Sequence, residues 1–342
     1  MTLSLTETLV WLGRWLQASG YQFTTVTPAT HARVNARSSA TMARSLRDVF
    51  GWSRPFASGL LPANALGWLR DGGLLQEDQQ GEAGNGRLHS RVRFSTLGGR
   101  LYAHSAFPTV EADAVFFGPD TYRFVSLIEA ELARQPLRAG ARILDIGCGA
   151  GPGGIAAAIA SRDCQPQLLL ADINPQALAF ARANAQLAGL ADARLAQSDL
   201  FASLEGRFDL IVANPPYLVD AGERAYRHGG GALGSGLSVR IVAESLTRLA
   251  PGGQLVLYTG APIVEGRDPF LDEVAPVLER AGCPFTFSYR EIDPDVFGEE
   301  LDAPAYAHAE RIAAVALVAS RLRDSAHAAG RNAPTGNRAT NL

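Results

Sequence analysis

The stretch from Ala141 to Ala160, ARILDIGCGAGPGGIAAAIA, leaves the chain little freedom of fold. Arg142 to Ile146 is a short apolar strand carrying one acid, Asp145; Gly147, Gly149 and Gly151 follow, and the alanine-rich run from Ile155 is a helix. Strand, glycine turn and helix in that order build a nucleotide-binding turn, in which missing side chains let a ligand approach the backbone and the helix N-terminus. Ala156 to Ala158 allow close packing of that helix on a sheet. The expected class is therefore α/β, with a parallel sheet covered by helices on both faces.

The next strand, Gln167 to Ala171, ends at Asp172, about twenty residues past the glycines, where an acid can accept both hydroxyls of a ribose. Asn174-Pro175 then caps a helix with Leu178, Ala181 and Ala185 on one face and Gly189 as its stop. Further on, five of the six residues from Phe208 to Ala213 are apolar, as in a strand buried on both faces, and the chain runs straight into Asn214-Pro215-Pro216-Tyr217. The two prolines lack N–H groups and hold φ, so their carbonyls point in fixed directions without local partners. Asn214 adds a side-chain acceptor and Tyr217 a flat ring. Fixed acceptors beside an aromatic face fit a planar –NH₂, either an amide or the exocyclic amine of a base. Alone, the four residues would read as a proline turn closing a strand; the glycine turn and acid upstream give them a donor to work with.

Two cofactors compete for that turn. Residues 149–154 satisfy G-x-G-x-x-G, so a nicotinamide-dependent oxidoreductase comes into view. The sequence offers no acid/base constellation for hydride transfer, and the Asn214–Tyr217 strand end has no role in such an enzyme. S-adenosylmethionine needs the same ribose acid, carries no pyrophosphate, and accounts for both features.

DIGCGAG, the acid of ADINP, the acid of QSDLF and IVANPPY, in this order and at this spacing, resemble the class I S-adenosylmethionine-dependent methyltransferases of the N-methylating kind. Residues 119–260 are similar to the small-domain methyltransferases typified by the HemK/PrmC glutamine methyltransferases, whose relatives act on adenine or guanine amines in RNA and DNA. The resemblance implies a seven-stranded Rossmann-like sheet whose last strand enters antiparallel. It places Gly147, Gly149 and Gly151 under the methionine and ribose, Asp145 at the methionyl ammonium, Asp172 on the ribose hydroxyls, and Asp199 at the adenine amine with Leu200 beside the ring. Asn214, Pro215 and Tyr217 become the catalytic set, with Asn214 also reaching the cofactor: the acceptor N–H groups bond to the Asn214 side-chain oxygen and the Pro215 carbonyl, and Tyr217 stacks on the planar group. The glutamine enzymes carry an Ile-Pro-Arg element before the core helix. Here FFGPDTYRF keeps Pro119-Asp120-Thr121 without the preceding Arg, so protein glutamine and nucleobase both stay open as acceptors. A binding protein that retains the cofactor pocket without turnover, acting on nucleic acid, is the alternative from another class.

The flanks divide the chain into residues 1–110, a small α+β module for substrate recognition; 111–320, the methyltransferase domain; and 321–342, a polar, aperiodic tail expected to be disordered. Ser4 and Glu7 form a capping-box pattern ahead of Leu5, Leu9, Leu12 and Leu16. A second helix is expected through Met42, Leu46, Val49 and Phe50, and a third through Leu66 and Leu69 to Gly72-Gly73. Residues 88–94 and 100–107 read as a hairpin turning at Leu97-Gly98-Gly99, giving a winged-helix-like outline, and residues 78–87 as a mobile loop. All 31 basic residues are arginine; eleven lie in residues 1–110 against six acids, while the remainder carries 20 against 28. A basic front third, with Arg87, Arg91, Arg93 and Arg100 on or near the wing, gives a possible nucleic-acid contact. Hydrophobic content of 47%, charged content of 19%, no long apolar run and three cysteines without metal-ligand spacing point to a cytoplasmic protein without membrane or metal partners. Residues 218–236 are glycine-rich and suit a substrate lid, with Tyr226, Arg227 and His228 where a substrate can be touched. Past a helix from Val239 to Leu249, the Pro251-Gly252-Gly253 turn leads into a strand from Gln254 to Tyr258; a helix at 271–282 and strands at 285–292 and 311–319 complete the count.

Overall fold

The computed structural model describes residues 4–77, 87–109, 111–220, 226–282 and 284–323. The expected mobile loop at 78–87 falls outside this set except for Arg87, as does the tail from residue 324 and part of the glycine-rich loop, residues 221–225.

The N-terminal part contains α1 (Leu5–Ala18), α2 (Pro28–Asn35), α3 (Leu46–Phe50) and α4 (Ala63–Asp71), then β1 (Leu75–Glu77), β2 (Leu88–Ser90), β3 (Val92–Leu97) and β4 (Arg100–Ser105). The capping box is formed: the Glu7 amide donates to the Ser4 hydroxyl and the Glu7 carboxylate accepts from the Ser4 amide. Leu9, Leu12 and Leu16 are fully buried below it, each contributing on the order of 1.5–3 kcal/mol. Three expectations need correction. The helix through Met42 shrinks to the five residues of α3, because Ser45 caps it and residues 41–44 are irregular. A helix not foreseen, α2, starts at Thr27-Pro28; its one fully buried residue is His31, so it shows no apolar period. The strand at 88–94 is two strands broken at Arg91, with β2 pairing with β1 and only β3 with β4.

The remaining elements are α5 (Pro119–Arg134), β5 (Arg142–Ile146), α6 (Pro152–Ala160), β6 (Gln167–Asp172), α7 (Pro175–Leu187), β7 (Arg194–Gln197), β8 (Phe208–Ala213), α8 (Gly236–Arg248), β9 (Leu249–Val264), α9 (Pro269–Glu279), β10 (Phe285–Asp293) and β11 (Ala309–Arg321). They form a seven-stranded sheet in the order β10-β11-β9-β8-β5-β6-β7. The five strands from β5 to β9 run parallel, and β11 is antiparallel to both its neighbours, as expected of its final entry. β9 is much longer than its apolar run from Gln254. Pro251 to Gly253 do not end it but bulge it, so that Phe208 faces Leu249 while Leu210 already faces Gln254. All six residues of β8 are buried, which puts the Asn214 turn at the carboxyl end of a central strand. That edge, beside the order reversal between β5 and β8, is where open parallel sheets bind ligands.

One apolar core lies on each face. Leu144, Ile146, Ile211, Leu255 and Leu257 meet α8 and α9 on one side. On the other, Ile143, Leu170, Leu210 and Val256 meet α5 to α7 in a cluster that continues without interruption into Leu9, Leu12, Phe50 and Phe94. Asn184 of α7, fully buried, stitches the two parts together: its side-chain oxygen accepts the Ala103 N–H (2.7 Å), and its amide donates to the carbonyls of Ala103 (3.0 Å) and Ala150 (2.9 Å). Among the described residues no helix is long and apolar enough to cross a membrane.

Candidate active site

A cavity of about 460 Å³ opens at the carboxyl ends of β5, β6 and β8, within the size range of small-molecule sites. It is lined by Asp145, Gly147, Gly149, Asp172, Asp199, Leu200, Asn214, Pro215 and Tyr217, so residues more than seventy positions apart in sequence share one cavity.

Gly147 and Gly149 adopt φ of 64° and 53°, and a Cβ on either would meet no protein atom within 4 Å, so the turn presents bare backbone to open space. Gly151 also has a left-handed φ, 81°, but it does not face the cavity; it begins α6 and packs near Ile155, Ala181 and Leu170. The structure thus brings two of the three expected glycines to the cavity and leaves the third as a packing residue.

Asp172 holds the turn in shape: its Oδ2 accepts the Gly149 N–H (2.8 Å) and its Oδ1 the Asn174 N–H (2.9 Å). Each oxygen keeps a second acceptor direction, enough for a vicinal diol. Burial raises its pKa, and the backbone N–H groups offset part of that. Asp145 is 2% exposed, and its Oδ2 accepts the Gly154 N–H (2.7 Å). Burial, reinforced by the Asp172 charge and opposed by that N–H, pushes its carboxyl up to about 7. A buried carboxyl without a cation beside it is poised to take one. Asp199 is mostly exposed at the rim, with Arg240 3.9 Å away. Leu200 is buried against the cavity with φ of 46°, an uncommon conformation for a side chain of its kind, held by the Ser198 hydroxyl donating to its carbonyl (2.7 Å).

At the other end, the Asn214 side chain makes no hydrogen bond to another described residue, and Pro215 is buried. Tyr217 is more constrained than its flat ring implied. It is 6% exposed, and its hydroxyl donates to Asp120 Oδ2 (2.8 Å). Tyr258 of β9 donates to Asp120 Oδ1 (2.8 Å), and Arg123 reaches the same oxygen (3.1 Å) while its other arm holds Asp293 (2.7 Å). Asp120, 4% exposed in the first turn of α5, is therefore the anchor of the Tyr217 ring. Burial raises its pKa against these three donors. Sequence reasoning kept Pro119-Asp120-Thr121 only as a fragment of a motif, since an acid in a first helical turn ordinarily serves the helix dipole.

The glycine-rich loop is not merely loose chain. A Cβ at Gly229 would lie 2.0 Å from the Gly234 carbonyl oxygen and 2.7 Å from that of Pro216, so only glycine lets the loop back press on the Pro216-Tyr217 backbone. Leu218 accepts the Gly229 N–H (2.8 Å) and donates to Arg227 (3.2 Å). Arg227 is itself paired with Asp220 and Glu300, Tyr226 donates to the Thr109 carbonyl (2.6 Å), and His228 Nδ1 accepts the Asp220 N–H (3.2 Å). Tyr226 and Arg227 line the cavity; His228 does not.

Residues 125–263 match the methyltransferase small domain family. The release factor glutamine methyltransferase of Deinococcus radiodurans is 34% identical over 202 residues, covering 55% of this chain and 70% of that protein. The release factor glutamine methyltransferase of Escherichia coli is 35% identical over 154 residues, 42% of this chain and 53% of that one. The ribosomal RNA small subunit methyltransferase C of Salmonella arizonae is 36% identical over 110 residues, 30% of this chain and 31% of that one. The chain spans about a third to a half of the length of the latter two.

Proposed function

Because the chain belongs to the HemK/PrmC-like class I methyltransferases, which use S-adenosylmethionine, we propose that its cavity methylates a planar nitrogen of a macromolecule, an amide or an exocyclic base amine, held by Asn214 and Pro215. The observation that carries this reading is that the Asn214–Tyr217 strand end opens into the same cavity as Asp172 and the bare glycine turn. The cavity also fits the cofactor's chemistry. Asp172 offers paired acceptors to ribose hydroxyls, Gly147 and Gly149 leave space where side chains would stand, and the buried, uncompensated Asp145 suits a ligand ammonium. Asp199 and Leu200 bound the far end, where an adenine amine and ring would lie. Gly151 serves through the turn it completes.

When bound, S-adenosylmethionine supplies an electrophilic methyl group. The protein's part is to make a poor nucleophile attack it. An amide or aryl amine nitrogen has a delocalised lone pair, and N–H groups bonded to the Asn214 oxygen and the Pro215 carbonyl turn that pair out of the plane. As positive charge grows on nitrogen, those two bonds strengthen in a water-poor site. Tyr217, its hydroxyl held by Asp120, gives the group a fixed wall, which converts encounter into alignment. The proton leaves to solvent afterwards, so no strong base is needed and His228 has no part in the step. We place the reaction in the cytoplasm, where Cys148 and Cys164 stay as free thiols.

The test is transfer of tritiated methyl groups into cell extract followed by RNase or protease. Label removed by either treatment, and absent with Asn214→Ala, is the expected result; cofactor binding without Asn214-dependent label in any macromolecular pool overturns it.

A further inference from the structure

Between Glu7 and Asp48 the chain holds five arginines and no acid. Arg33, Arg37 and Arg44 of this run sit on α2 and the irregular segment behind it, all exposed, and among the described residues none has a carboxylate within ion-pair distance. The first carboxylate they could reach in sequence, Asp48, is already used: it pairs with Arg54 (2.5 Å) and accepts from the Ser45 hydroxyl (2.9 Å) and the Arg44 backbone (3.0 Å).

This surface is exposed yet rigid. His31 is 2% exposed, tilted against the rings of Phe107 (centroids 4.1 Å apart) and Trp52 (5.4 Å), and burial holds its pKa down to about 4, so it adds no charge of its own at neutral pH. Asn35 donates to the Trp52 carbonyl (2.8 Å) and accepts from Arg54 (2.9 Å). A helix with one fully buried side chain is thus clamped from below while its exposed side carries Arg33, with Arg37 exposed just past its C-terminus. Pro28, its first residue, lines the cavity, beside Phe116 at 37% exposure and Ile173 at 55%.

We propose that the α2 face, through Arg33, Arg37 and Arg44, binds the phosphodiester backbone of a single-stranded nucleic acid and leads one base past Phe116 to the Asn214 end of the cavity. The composition favours nucleic acid over an acidic protein. Guanidinium groups here alternate with Ser38, Ser39, Thr41 and Ser45, which is phosphate-contact chemistry. A protein-docking face would carry apolar anchors, whereas the exposed large apolar residues, Trp11, Phe116, Ile173, Phe287 and Leu322, all lie outside residues 28–47. Phe116, exposed in the cavity wall that Pro28 of the same helix also lines, suits base stacking. The track is also distinct from the hairpin expected to act as a wing: there Arg93 is buried, donating to the Gly51 carbonyl (2.8 Å), and Arg91 faces Glu111.

The inference rests on the acceptor reading above, and its experiment stands apart from turnover. The full chain is titrated into fluorescently labelled single strands of about twenty nucleotides, RNA and DNA of one sequence, between about 50 and 200 mM salt. The triple variant R33Q/R37Q/R44Q, checked for an unchanged melting curve, is expected to bind about tenfold or more weakly, with the slope of log affinity against log salt reduced by about two, as three lost contacts on a single strand require. The control R87Q/R91Q/R100Q is expected to keep most of the affinity, and Asn214→Ala, which removes a base contact and no phosphate contact, to keep the wild-type salt slope while losing methyl transfer. RNA and DNA binding alike mark backbone recognition; an RNA preference adds the ribose hydroxyl. Wild-type protein that ignores both strands, or a polyglutamate chain bound in their place, overturns the proposal, as does a triple variant with the wild-type salt slope.

Discussion

Tyr217 and Asp120 show how one buried carboxylate in the cavity wall sets the geometry of the aromatic ring beside it. Asp120→Asn keeps one acceptor oxygen but turns an N–H₂ toward a tyrosine hydroxyl, so one of two buried bonds to a charged group is lost. Such bonds are worth about 1.5–3 kcal/mol, and methyl transfer should fall by about 10- to 150-fold while calorimetry finds S-adenosylmethionine affinity nearly unchanged. An equal loss of both would mean general disorder of the site. Asp145 behaves differently because its carboxyl is shifted from 3.8 to about 7. A carboxyl whose folded pKa is raised binds protons more tightly in the native state, so stability falls as pH rises from about 4 to 7 and stays low above that. The full penalty is on the order of 4 kcal/mol. The ligand-free wild type should therefore melt progressively lower from pH 5 to pH 7, and Asp145→Asn, which keeps the Gly154 bond, should flatten that profile. Cofactor binding runs the other way, since an ammonium favours the ionised form: affinity should weaken as pH drops below about 7.

The elements divide by how much of themselves they wrote into their own residues. β8 and β5 are apolar on both faces and bounded by prolines and glycines, so their limits coincide with those expected from the sequence. α2 could not be seen, because a helix anchored by His31, Asn35 and a ring of aromatics has no apolar stripe to read. The glycine loop was legible as a loop but not as a wedge; its glycines signal mobility and close approach equally well, and only the neighbouring backbone decides. Gly229→Ala forces a Cβ into two carbonyl oxygens that belong to main chain and cannot swing away. The expected result is a loss of methyl transfer of about a hundredfold or more, with stability reduced by about 1–3 kcal/mol as in other overpacked sites, measured by tritium incorporation and denaturant unfolding. The acids at the strand ends were legible for a simple reason: Asp172 and Asp145 interrupt apolar runs, and a charge there needs a partner.

Across the whole molecule, the continuous core from Leu9 through Phe94 to Leu170 predicts one cooperative unfolding transition for the described chain, seen alike by far-UV circular dichroism and tryptophan fluorescence. Asn184 sharpens this. Replacing it with Leu leaves buried backbone groups of Ala103 and Ala150 unpaired, at about 1–3 kcal/mol for each, and should lower both stability and cofactor affinity because Ala150 is part of the glycine turn. Trimming the protein for biochemistry meets the same residue. A catalytic fragment cut at residue 111 would uncover the α7 face that α1 and β4 now cover and strand the Asn184 amide at a raw apolar edge. The tidy boundary that a sequence-based domain map draws before the methyltransferase motifs is, in the folded chain, a seam that cannot be opened without spilling the core.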